Sequence, residues 1–160
     1  MLRNHKWFQS GLHAFERLDA QIVMTMAQYG VPLLRIALAL TFIWFGALKV
    51  IGLSPVAGLV VETMPWLPPS FVVPAVGIWE IIVGAGLLTR FVLRLTLLFF
   101  FMQMGGTFLV LLTLPELAFQ NNNPLLLTTI GEFVVKNLVL VSAGLIIGAT
   151  VRRHSETLPA

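Results

Sequence analysis

Five side chains in this sequence can carry charge or strong hydrogen bonds where nearly all their neighbours are apolar: Lys49, Glu80, Gln103, Glu132 and Lys136. A carboxylate beside an ammonium at such a place can form a buried ion pair, relay a proton, or hold the polar end of a ligand. Glu132 and Lys136 are spaced i,i+4 with the acid first, the favourable order for a pair on one helix face. Two lysines and two glutamates make a neutral set. The economical arrangement turns all four inward as one cluster, with Gln103 level with Glu80. Trp44 and Trp79 stand close enough in sequence to Lys49 and Glu80 to line a pocket there, or else to anchor the chain at an interface.

Other chemistries are absent from the sequence. It has no cysteine, so thiolate nucleophiles, disulfide exchange and iron–sulfur ligation are excluded for this chain. The three histidines, His5, His13 and His154, lie outside the apolar runs and offer no haem ligand within them. Phosphate-cradling glycine loops and Ser/His/Asp constellations are missing. No metal set and no catalytic residue can be named.

The elements that must position the five polar groups are four apolar runs. Of 160 residues, 58% are hydrophobic and 11% charged, a balance that makes lipid the expected solvent. A bilayer core of roughly 30 Å needs about 20 residues of helix. Residues 31–53, 71–88, 92–114 and 130–151 meet that need. The expectation is an all-α, four-helix transmembrane bundle preceded by an N-terminal amphipathic helix on the membrane surface, with 152–160 as a tail. Prolines 55, 65, 68, 69, 115 and 124 punctuate the connections, and Pro74 is expected in the first turn of the second span. Phe8, Leu12, Phe15, Ile22 and Met26 recur at helical spacing over 1–30, with a turn expected at Gly30-Val31-Pro32.

Charge sets the orientation. Arg3, Lys6 and Arg17, then Arg90 and Arg94, then Arg152 and Arg153 fall on one side of the expected topology; the opposite loops hold Glu62 and Glu116 and no basic residue. By the positive-inside bias both termini are cytoplasmic, in the inner (plasma) membrane. The formal charge of +3 is therefore spread along a membrane surface and excludes nucleic acid as a partner. Depth separates the polar groups further. At 1.5 Å per residue Lys49 lies about 6 Å from a helix end and could snorkel, as Arg35 could at the other end, whereas Glu80 lies about 14 Å deep and could not. Gly77, Glu80 and Gly84 share a face, and so do Phe42, Phe45, Gly46 and Lys49. A satisfied polar core that only specifies packing and a hydrated ligand or proton site are both open on these grounds. Gly144 and Gly148 form a small-xxx-small pair, a candidate homodimer face.

These residues also resemble a family. Phe45-Gly46-Ala47-Leu48-Lys49 resembles the aromatic-Gly-x-x-Lys stretch that opens DoxX-like membrane proteins, and Gly77-Ile78-Trp79-Glu80 with Gly84 is similar to their second helix. Leu114-Pro115-Glu116 and Gly131-Glu132-Phe133-Val134-Val135-Lys136-Asn137 resemble the YkgB-type branch, although Glu132 stands where that branch often has a basic residue. The resemblance covers about residues 30–150. It implies a four-helix inner-membrane protein, some of whose relatives serve membrane oxidoreductases, including a subunit of a thiosulfate:quinone oxidoreductase. No cofactor is expected to be intrinsic. The resemblance implies a small-ligand site, with quinone as the candidate ligand, and a soluble or membrane oxidoreductase as the candidate partner, in a redox or stress-response system. The alternatives are a proton-coupled transporter using Glu80 and a purely structural membrane subunit.

Overall fold

The computed structural model describes the backbone of residues 3–151 and the side chains of 15–151, apart from that of residue 122. The tail that carries Arg152 and Arg153, and the side chains of Phe8 and Leu12, lie outside that description. The described chain is helical: α1 (Arg3–Val50), α2 (Ala57–Thr63), α3 (Pro69–Thr89), α4 (Leu93–Thr113), α5 (Pro115–Ala118) and α6 (Thr129–Ala149). Among the described residues there is no strand, only an isolated bridge between Phe119 and Leu127. Four helices are long and apolar enough to cross a membrane, within Phe15–Val50, Pro69–Thr89, Leu93–Thr113 and Thr129–Ala149.

The chain divides into two compact units, Met1–Leu34 and Arg35–Ala160. In the first, Phe15, Ile22 and Met26 are all exposed. The helix continues through Pro32, where the sequence pattern predicts a turn. A proline removes only one i→i−4 hydrogen bond, and Gly30 has nothing within 4 Å of the position a Cβ would take, so helix is sterically permitted there.

The second unit is held by close approach at small residues. A Cβ on Gly46 would lie 2.5 Å from the Gly77 carbonyl oxygen, and one on Gly84 would lie 2.7 Å from that of Ala39. Moving seven residues back along α1 moves seven forward along α3, so these helices run antiparallel with backbones in near contact. Gly86 faces Thr96 across the α3–α4 connection, a turn tight enough to force Arg90 and Val92 to φ of 63° and 46°. That left-handed conformation strains a β-branched residue such as Val92. Phe100, Leu87, Ile147, Val72, Val83 and Val134 fill the centre. On the outer surface, Leu40, Ile82, Leu98, Leu109, Val139 and Leu145 are exposed, as lipid-facing residues are.

The structure moves three sequence expectations. Pro69, not Pro74, occupies the first turn of α3; Pro74 sits in the helix interior, because the helix begins as soon as Pro68 and Pro69 supply helix-compatible φ angles. The connection after α1 contains the short helix α2 rather than an irregular proline loop. The Gly144–Gly148 stripe is used inside the chain: a Cβ on Gly144 would meet the Phe100 ring at 2.5 Å, and Gly148 faces Leu97. The face expected to meet a second copy therefore packs α6 on α4, because α4 presents large aromatic residues that need a flat neighbour.

Candidate ligand-binding site

The polar centre follows from the α1–α3 packing. Lys49 lies one turn beyond Gly46, and Glu80 one turn beyond Gly77. Helical side chains lean towards their own helix N-terminus, so on antiparallel helices these two lean towards each other. Lys49 Nζ donates to Glu80 Oε2 at 2.6 Å and to Oε1 at 2.8 Å. The two residues are only 5% and 8% exposed. From α4, Gln103 Nε2 donates to Glu80 Oε1 at 2.7 Å. Gln103 is brought there by the ring packing one turn earlier, where Phe99 meets Trp79 at 4.8 Å between centroids. Three elements thus converge on one carboxylate, which accepts three hydrogen bonds and carries a charge matched by one ammonium.

Beside this centre lies a cavity of about 520 Å³, walled by α1, α2, α3, α4 and α6. Its walls are mostly apolar, with Phe45, Leu59, Met64, Phe71 and Val110 among them. Lys49, Trp79, Glu80, Gln103 and Asn137 also line it. Thr41, Thr63 and Thr107 line it too, but each hydroxyl donates to a carbonyl of its own helix, so they offer it no free donor. By contrast, Trp79 Nε1 and Gln103 Oε1 are buried with no hydrogen-bond partner. Asn137 is 8% exposed, and its side chain makes no hydrogen bond among the described residues. Trp79 Nε1 and Gln103 Oε1 are closed off from the cavity space as well as unpartnered, whereas the unpartnered Asn137 amide keeps accessible surface on the cavity wall and is the group to which something else can supply partners.

Four of the seven candidate residues the sequence suggested meet at this site and three do not. Lys49, Glu80 and Gln103 are brought together, and Trp79 lines the same cavity. Trp44 is 68% exposed on the outer surface of α1 and does not line the cavity. Glu132 and Lys136 pair with each other at 3.3 Å, with side chains 56% and 75% exposed, away from Glu80. The single four-charge cluster is therefore two separate neutral pairs. The reason lies in α6, whose inward face is Gly131, Val134 and Asn137, buried at helical spacing. Lys136, one residue away, points aside. Gly131 is fixed there because its N–H donates to the Thr128 hydroxyl at 3.1 Å, while Thr128 also binds the α5 carbonyls of Leu117 and Ala118. Asn137 is the residue that sequence reasoning missed. Its signal was its place three residues after Val134, itself three after Gly131, along one slowly drifting stripe of α6.

The family model for DoxX matches residues 30–113. The chain belongs to the DoxX family. The DoxX match takes in Lys49, Glu80, Gln103 and Trp79, three helices' contribution to the polar centre, and stops short of α6 with Asn137. No curated protein and no solved structure matches the chain.

Proposed function

We propose that this multi-pass DoxX membrane protein is a small-ligand-binding subunit, taking an amphipathic molecule whose polar head meets Lys49, Glu80 and Gln103. One observation carries the reading: a cavity of about 520 Å³ with mostly apolar walls meets the buried Lys49–Glu80–Gln103 centre beside the unpartnered Asn137 amide. Ligand pockets commonly combine this size and apolarity with a few fixed polar groups. A device that only specified packing would leave no such space.

Quinone is the ligand we propose, in a redox or stress-response system with an oxidoreductase partner. Its ring carbonyls accept hydrogen bonds, and the Asn137 amide and the remaining N–H of Lys49 are donors suited to them. A bound quinone would supply electron and proton acceptance, while this chain's residues bind and orient the ring. The proton-carrier alternative needs Glu80 free to exchange protons, whereas Lys49 engages both of its oxygens. The motifs at α5 and α6 support a place in the YkgB-type branch. Basic Arg90 and Arg94 in or beside the α3–α4 connection, against Glu62 and Glu116 at the other end, support cytoplasmic termini in the plasma membrane.

Purification in mild detergent followed by mass spectrometry of the extracted lipids tests the ligand. Quinone retained by wild type and weakened in Asn137→Leu is the expected result; a well-folded preparation without quinone counts against it. Reporter fusions after Thr89 should report cytoplasm and those near Glu62 the opposite side.

A further inference from the structure

The Lys49–Glu80 pair also fixes the charge of what the cavity can take. We infer that the cavity selects an uncharged head group carrying a carbonyl-type acceptor, and that Asn137 recognises it; this rests on the ligand-binding reading above. Lys49 Nζ lies within 2.8 Å of both Glu80 oxygens, so the pair is neutral as a unit. Gln103 adds a neutral amide to the same carboxylate. Among the described residues, no charged side chain besides Lys49 and Glu80 lines the cavity. An anionic head group would have to draw Lys49 away and leave Glu80 buried without its partner; a cation would do the reverse to Lys49. Breaking a buried pair from one side is strongly unfavourable. Groups left over for recognition include the Asn137 amide, both donor and acceptor, and the third N–H of Lys49, whose charge Glu80 already balances. The apolar wall beyond them suits an alkyl or prenyl tail.

Two probes with one tail and different heads test this directly. Radiolabelled methyl laurate and laurate, the second ionised at pH 9, are equilibrated with the full chain in phosphatidylcholine nanodiscs, and retention above empty discs is measured. Wild type should hold methyl laurate at least tenfold more tightly than laurate. Glu80→Gln leaves Lys49 as an uncompensated cation, so the preference should narrow or reverse towards laurate. Asn137→Leu should weaken methyl laurate roughly five- to tenfold, the worth of about one hydrogen bond, and leave laurate unchanged. Equal binding of the two probes to wild type, or tighter laurate, overturns the charge selection while leaving a binding cavity in place. Retention of neither probe overturns this inference and the ligand-binding reading together. Should Glu80→Gln fail to fold, the wild-type ratio still decides charge selection, and unchanged methyl laurate binding in Asn137→Leu removes Asn137 from recognition.

Discussion

Two lysine–glutamate pairs of the described spans, Lys49–Glu80 and Lys136–Glu132, differ in almost everything except composition. Lys49 and Glu80 come from different helices, 31 positions apart, and are buried at 2.6 Å with a glutamine completing the shell. Glu132 and Lys136 are a single-helix pair at 3.3 Å, with more than half of each side chain exposed. The first exists only because α1 and α3 approach at Gly46 and Gly77. The second needs nothing but an α-helix. Burial therefore couples the first pair to the packing of the bundle, and exposure leaves the second nearly independent of it.

The largest expected effect comes from breaking the buried pair on one side. Lys49→Met should destabilise the protein by about 3–5 kcal/mol in detergent, because Glu80 is left as a buried charge with only Gln103 beside it. Lys49→Met combined with Glu80→Gln should recover part of that loss, giving a non-additive thermal-stability cycle. Strict additivity would show that the pair is not coupled and would remove the contrast between the two sites.

The next largest effect should come from the packing that creates the pair. Gly77→Val places side-chain atoms against the Gly46 carbonyl and Lys49, where even a bare Cβ would lie 2.6 Å from that oxygen. Helix separation should cost roughly 1–3 kcal/mol or more and should also weaken ligand retention. Gly105→Ala, at a position with open space around it, is the matched control and should be nearly silent.

The smallest effect is reserved for the exposed pair. Lys136→Met or Glu132→Gln should shift stability by about 0–1 kcal/mol, and the double variant should show coupling of no more than about 0.5 kcal/mol. A loss comparable to that of Lys49→Met would mean that α6 presents these residues inward, contrary to the burial of Asn137.

The sequence by itself determined the class of the protein and the existence of a polar centre. Four runs of some twenty apolar residues can do little other than span a bilayer, and Glu80 is too deep within one of them to remain unpartnered, so both facts follow from the cost of charge in lipid. The Gly46/Lys49 and Gly77/Glu80 spacings were legible too, since three residues on a helix return to one face. Which lysine answers Glu80 was decided only by tertiary structure. Lys49 and Lys136 have similar depth and reach, and the choice depends on how far each helix is rotated about its axis. That rotation is set by neighbours: Phe100 over Gly144 and Ala118 against Gly131 turn Val134 and Asn137 inward and put Lys136 outside. The same holds for Trp44, whose amphipathic ring suits a pocket or a lipid surface equally well until the packing of Phe42 on Phe100 turns the opposite face of α1 to the core. Periodicity gives each helix its faces, and only the contacts between helices decide which face meets the cavity.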